Sequence, residues 1–151
     1  MSWNRTGQIF YNKNLDGQSF VGHCLRDTKF INCSMKSCDF TVADICNANF
    51  EGSNLTNSKL NGTDWSQAYL KGIVFDGCDF SSTRKKRSKF RDNLQQVRSM
   101  RNCNFKDADF SDCSFEYLMI NPVSYPEAVR HILEEEHVRR GIRTDDWDMI
   151  S

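Results

Sequence analysis

The sequence predicts an all-β solenoid, and two regularities carry that prediction. Every fifth residue from position 10 to position 80 is large and apolar: Phe10, Leu15, Phe20, Leu25, Phe30, Met35, Phe40, Ile45, Phe50, Leu55, Leu60, Trp65, Leu70, Phe75 and Phe80. If about a third of positions held such residues by chance, a run of this length would arise roughly once in ten million trials. Around each centre the flanks are also fixed in kind. The residue two before it is small from Thr28 onward, as in Cys33, Ala43, Ser53 and Thr63, with Ile73 the exception. The residue two after it is a turn former, as in Gly17, Asp27, Asn32, Asn47 and Gly72, with Val42 and Gln67 departing. A period of five fits neither the 3.6 of a helix nor the 2.0 of a strand.

Each unit therefore reads small, outward, large, outward, turn: one short extended piece and one corner. Six of the eight glycines take the turn position, where a positive φ is cheap for them. Four corners close a coil of about 20 residues, stacked on the next at one strand spacing of ~4.8 Å. Residues 20 apart then form four interior columns, headed by Phe10, Leu15, Phe20 and Leu25. Asp and Asn are accounted for by the turns and by the outward position before each centre.

Length and composition agree with this. The chain has 151 residues, enough for one domain with its own core, and its eleven Phe exclude a disordered chain. Residues 1–10 (MSWNRTGQIF) hold no apolar targeting segment, and no apolar run is long enough to span a bilayer, so the reading is a cytoplasmic protein without a membrane partner. The seven cysteines include no C-x-x-C pair. Cys33, Cys38, Cys78, Cys103 and Cys113 stand at the small inward position, where a thiol behaves as a small hydrophobe; Cys24 and Cys46 flank centres and point outward.

The segments ADICN (43–47), ANFEG (48–52), SNLTN (53–57) and ADFSD (108–112) resemble the pentapeptide-repeat family. The resemblance spans roughly residues 8–82 and 103–120. It implies a right-handed quadrilateral β-helix, often dimeric through its C-terminal ends. It also implies a likeness to the quinolone-resistance and gyrase-protecting group, whose rods carry a projecting loop, imitate duplex DNA and bind type II topoisomerase.

After Phe80 the pattern lapses, and it resumes at Phe105, Phe110, Phe115 and Ile120. The gap of residues 83–102 is one coil long, so two readings follow, both placing Phe105 in the column of Trp65. In one, the gap is a degenerate coil centred on Lys85, Phe90, Gln95 and Met100, which would bury Lys85, Gln95 and Arg98 at a cost of several kcal/mol unless paired. In the other, which is preferred, it is looped out: a basic loop leads into a short helix with Phe90, Leu94 and Val97 on one stripe and Asp92 and Gln95 in its capping box. The domain reading is a repeat β-helix over 1–124 with this insertion, then a capping helix and tail over 125–151. Ser124 to Glu127 reads as a capping box, and Arg139, Arg140 and Gly141 as a stop. Val129, Ile132, Leu133, Trp147 and Ile150 are the residues expected to cap the last coil or to reach a second copy in a homodimer.

Nothing in the sequence sets out catalytic chemistry. No Ser–His–Asp set, P-loop or G-x-G-x-x-G is visible, His131 and His137 do not have metalloprotease spacing, and His23, at a small inward position near the N-terminus, reads as a tolerated edge residue, so neither enzyme, metal nor cofactor is expected. A solenoid with a filled interior offers only its surface. The net charge of zero conceals how that surface is divided, for residues 81–101 hold Arg84, Lys85, Lys86, Arg87, Lys89, Arg91, Arg98 and Arg101 against Asp92, net +7. The expected function is a non-enzymatic interaction module that binds a protein partner, such as a type II topoisomerase, through this basic insertion. Direct nucleic-acid binding, with Phe90 as a stacking residue, and a structural scaffold remain the alternatives.

Overall fold

In a computed structural model, residues 4–91, 93 and 96–109 are described, and they wind as stacked coils of a repeat β-helix. The regular strands are short. β1 (Ile9–Tyr11) pairs in parallel with β2 (Lys29–Ile31), with Phe10 opposite Phe30. Beyond them the same pairing continues as single parallel bridges, Asn14 to Ser34, Ser19 to Asp39, Cys24 to Asp44 and onward, with none between Asp44 and Asp64. Each extended piece is too brief for a long strand because a corner follows every five residues.

The corners explain the sequence pattern. The turn residue takes a left-handed φ at seven glycines and at Asn12, Asp27, Asn32, Ser37, Asn47, Asn57, Asn102 and Asp107. Val42 adopts it too, at φ 52°, although a branched side chain disfavours that region. Glycine suits position 52, at φ 68°, because a Cβ there would stand 2.1 Å from Oδ1 of Asn32 in the neighbouring coil and would push that amide aside. Where an Asn or Asp precedes a centre, its side-chain oxygen can accept the N–H two residues on: Asn49 from Glu51, Asn54 from Thr56, Asp79 from Ser81. Its residue type is thereby fixed by the corner, in the manner of an Asx turn.

Inside, the columns are filled. Phe10, Phe30 and Phe50 stack with centroids 5.0 and 5.1 Å apart, and Phe20 on Phe40 at 4.8 Å. Adjacent columns meet edge to face, as Phe30 does with Phe40. Each such ring contributes the burial of an aromatic side chain plus about 0.5–1.5 kcal/mol for ring geometry. The small inward residues close the ends of each piece. Ser53 and Ser58, both buried, donate to the carbonyls of Phe30 and Met35 and accept from the N–H groups of Cys33 and Cys38. Cys38 and Cys78 make the equivalent donation to Leu15 and Leu55, so the thiols occupy a serine's role in the core. His23 is also buried, at a small inward position, its ring edge-on to Phe20 and Nδ1 at 3.1 Å from the Val21 carbonyl.

The preferred reading of residues 83–102 is corrected here. The segment is not looped out as one block, and no helix occurs among its described residues. The chain leaves the wall at Thr83 for five residues and rejoins it at Ser88. From there the pairing interval is 25 instead of 20: Asp64 bridges Lys89, Val74 bridges Ser99, and Asp79 bridges Asn104. Phe90 is fully buried above Trp65, the backbone N–H of Trp65 donating to the Lys89 carbonyl. Phe105 lies flat on Phe80, with centroids 5.3 Å apart and planes 1° from parallel, so it belongs to Phe80's column and not to Trp65's. Val97, expected on a helical stripe, packs instead against the core from the wall.

The degenerate-coil reading fails in its register and succeeds in placing Phe90 and Met100 inside. Lys85 escapes burial because it lies in the loop. Arg98 escapes it because the chain bends there, its N–H taking the Ile73 carbonyl while its side chain is exposed. Asp92, Leu94 and Gln95, the capping helix over 125–140, and Cys113, His131 and His137 all lie outside the described residues.

Candidate interaction surface

The displaced residues form an ordered corner loop. Thr83 closes it: its N–H and Oγ1 both donate to the Lys86 carbonyl, and its Oγ1 accepts from the Lys86 N–H at 2.9 Å. Ser88 docks it. In the other coils the N–H of the turn residue donates to a carbonyl one coil on, as Gly22 does to Thr41 and Gly52 to Lys71. The loop removes that carbonyl for Gly62, and the buried hydroxyl of Ser88 replaces it, accepting the Gly62 N–H at 2.8 Å and donating to the Ser81 carbonyl at 3.3 Å. Gly62 lies beneath the loop, where a Cβ would meet Lys86 Cβ and Thr83 Cγ2 at 3.1 Å each. On the far side Arg87 Nε and Ser82 Oγ both donate to the Asp107 carbonyl, tying the loop to the following coil.

This fixed backbone carries exposed charge. Arg84, Lys85, Lys86 and Arg87 are exposed on the loop, and Lys89 and Arg91 are exposed on the wall that follows it. Arg98 and Arg101 are exposed as well, but they belong to other walls of the solenoid, so the eight basic residues do not make one patch. Phe90, at the centre of the cluster in sequence, is in the core with its ring 4.7 Å from Phe80 and offers no stacking face. Val129, Ile132, Leu133, Trp147 and Ile150 lie outside the described residues.

The loop also stands against the wall formed by Asp44, Cys46, Asp64 and Ser66, and a groove of about 660 Å³ separates them. Arg26 closes its lower end, with Nε 2.6 Å from Asp44 Oδ2. Burial pulls the Asp44 carboxyl upward, but the hydrogen bond from Arg26, the N–H of Cys46 and the nearby charge of Lys86 outweigh it and hold the group below its ordinary value. This groove was not foreseen, since no pattern in the sequence announces that the loop folds back over the wall carrying Asp44 and Asp64.

The described cysteines form no centre. Cys33, Cys38, Cys78 and Cys103 are buried and free, and burial pushes the thiol of each up, that of Cys103 to about 12. Among the described residues no group of His, Cys, Asp or Glu could hold a metal ion, and no helix is long and apolar enough to cross a membrane.

With the coil geometry established, the comparisons can be placed. Residues 24–62 and 53–92 each match the model described as pentapeptide repeats (8 copies). The coils over residues 24–92 are pentapeptide repeats. None of the curated proteins compared matches the chain. Among solved structures, the pentapeptide-repeat protein HetL of the cyanobacterium Nostoc, involved in regulating heterocyst differentiation, is similar at 16% identity and a TM-score of 0.41. That likeness covers 75% of this chain and 47% of HetL, so the chain spans about half of HetL's length. A pentapeptide-repeat protein of the Arabidopsis thaliana thylakoid lumen is similar at 19% identity over 81% of this chain and 74% of that one, also with a TM-score of 0.41. QnrB1, a plasmid-mediated fluoroquinolone resistance protein, is similar at 14% identity over 76% of this chain and 91% of its own, with a TM-score of 0.26.

Two outcomes follow for the repeat array. Replacing Ser88 with Ala leaves the buried Gly62 N–H without its acceptor, which costs about 1–3 kcal/mol. Urea unfolding of Ser88→Ala checks this, with Ser66→Ala, on the outer wall, as a control that stays near wild type. The Cys103 thiol stays protonated in the fold up to about 12, whereas an unfolded thiol ionises near its ordinary value of 9.0. The unfolded state therefore loses its proton first, so stability is full below about pH 9 and falls as pH rises toward 12. Melts from pH 7 to 11 on wild type and Cys103→Ser show this as a smaller alkaline loss in the variant.

Proposed function

We propose that this chain is a non-enzymatic interaction module that engages an acidic protein partner through its basic corner loop. One observation carries the reading: Arg84, Lys85, Lys86 and Arg87 are displayed together on a loop whose backbone is fixed to the solenoid by Thr83, Ser88 and Asp107. A charged loop already held in place loses little further chain entropy on binding, which favours affinity as well as electrostatic steering. The interior columns of the described coils are filled by side chains, which leaves the outer walls to carry function. The right-handed winding and square cross-section implied by the family resemblance belong to the same proposal, as do a cytoplasmic location and self-association through the C-terminal segment.

A type II topoisomerase fits this reading as a partner met by the loop, not as an enzyme deceived by an imitation of duplex DNA. Residues 4–109 carry sixteen basic against eleven acidic side chains, net +5, whereas a duplex mimic needs an acidic exterior. Direct nucleic-acid binding shares the attraction to phosphate but lacks the aromatic platform on which unpaired bases stack, since Phe90 is in the core.

The test is affinity capture from the cell of origin with the wild-type chain and with a variant carrying Arg84→Ser, Lys85→Ser, Lys86→Ser and Arg87→Ser. The reading expects the captured protein to fall by about tenfold or more with the variant, as for loss of several charge-assisted contacts. Undiminished capture would refute the loop's role. Tight binding of short duplex or single strands with a steep salt slope would transfer the function to nucleic acid.

A further inference from the structure

The groove beside the loop holds more information than the loop's charge. Its outer side is Lys85, Lys86 and Arg87, its rim includes Lys89, and its inner wall carries Asp44 and Asp64 on consecutive coils. We propose that this groove seats a short, extended acidic peptide segment of a partner protein, with its carboxylates on Lys85, Lys86, Arg87 and Lys89 and main-chain N–H groups donated to Asp64. The proposal names the partner's recognised element and rests on the reading of the loop as an interaction site.

Three features of the groove support a peptide. The first is its balance of charge. Five basic groups and two carboxylates among the described residues line it; Asp44 is engaged by Arg26 at 2.6 Å, and Asp64 accepts the Ser66 N–H through Oδ1, so a ligand meets a positive outer side and Oδ2 of the exposed Asp64 as acceptor on the inner wall. An extended acidic peptide presents both complements, carboxylates on its side chains and N–H donors along its backbone. A phosphodiester chain presents acceptors alone on its backbone and would be repelled by Asp64. The second is the lining. Ala43 and Ile45 are its apolar residues and no aromatic ring lines it, so bases would find nothing to stack on. The third is preorganisation. Arg87 is anchored through Nε to the Asp107 carbonyl at 2.9 Å, which fixes the guanidinium while leaving its terminal nitrogens for a carboxylate fork. The volume of about 660 Å³ is that of a ligand-sized cleft and suits a few extended residues.

Fluorescence anisotropy on the full chain tests this with labelled hexaglutamate, and with a labelled hexathymidylate as the nucleic-acid arm. The expected result is saturable peptide binding, with the oligonucleotide weaker by about tenfold or more at equal salt. Ser66→Trp, which fills the groove from its outward wall without touching a basic residue, is expected to weaken the peptide about tenfold with an unchanged circular dichroism spectrum. Gln67→Trp at the exposed lip serves if Ser66→Trp does not fold. Full-strength peptide binding in the filled variants overturns the groove, as does an oligonucleotide bound as tightly as the peptide, or no peptide binding at all. The loop reading is judged separately, by partner capture with the four-serine variant, so a groove that fails while capture still depends on the loop leaves that reading standing.

Discussion

Each coil hangs on its neighbours through backbone N–H groups that donate to carbonyls about one perimeter along the chain, forward from the centres and turn residues and back from the residues before the centres, and the perimeter is four pentads. Almost everything else in the structure is a consequence of keeping that interval. A corner every five residues demands a left-handed turn, hence Gly, Asn or Asp. The wall between corners holds one large side chain, and that side chain must meet another of similar size one coil away. The Asx oxygen, the inward Ser or Cys and the aromatic ladder all serve one repeated geometry, and their contributions add coil by coil as expected of a solenoid.

The corner loop shows how an insertion is reconciled with this constraint. Leaving the wall removes one carbonyl from the ladder, and a buried N–H without a partner is costly. Ser88 supplies the missing acceptor from its side chain while occupying the small inward position of the next pentad, so one residue both mends the ladder and restarts the repeat. The basic residues before it are then outside the coil, where their charges remain solvated. This is why Arg84, Lys85, Lys86 and Arg87 can interrupt an apolar core without burying an ion.

The walls and columns were legible in the sequence because apolar centres, small residues and turn formers recur in phase over fifteen pentads. The insertion was not, for a specific reason. It is one pentad long, so the centres after it remain on multiples of five, and the phase that identifies a centre says nothing about which column it occupies. Phe90 with Ser88 two before it already had the signature of an ordinary pentad, and Thr83 to Arg87 was the one pentad wholly without an apolar residue. Weighing those two pentads one by one would have placed the break correctly; treating the gap as a single coil-length block hid it. The groove was illegible on other grounds, since it depends on a loop folding back over a wall 20 to 40 residues earlier in the chain, and no local pattern encodes that contact.

The fold thus holds four of the basic residues, Arg84 to Arg87, at one corner, beside two carboxylates on one wall. The most direct measurement of this arrangement is native-state hydrogen exchange resolved to single amides across residues 83–105. A coil that resumes at Ser88 predicts slow exchange at Lys89, Phe90 and Arg98, comparable with Phe50 in the middle of the stack, and fast exchange at Arg84 and Lys85. Uniformly fast exchange from Thr83 to Asn102 would contradict it and return the whole segment to a loop outside the solenoid.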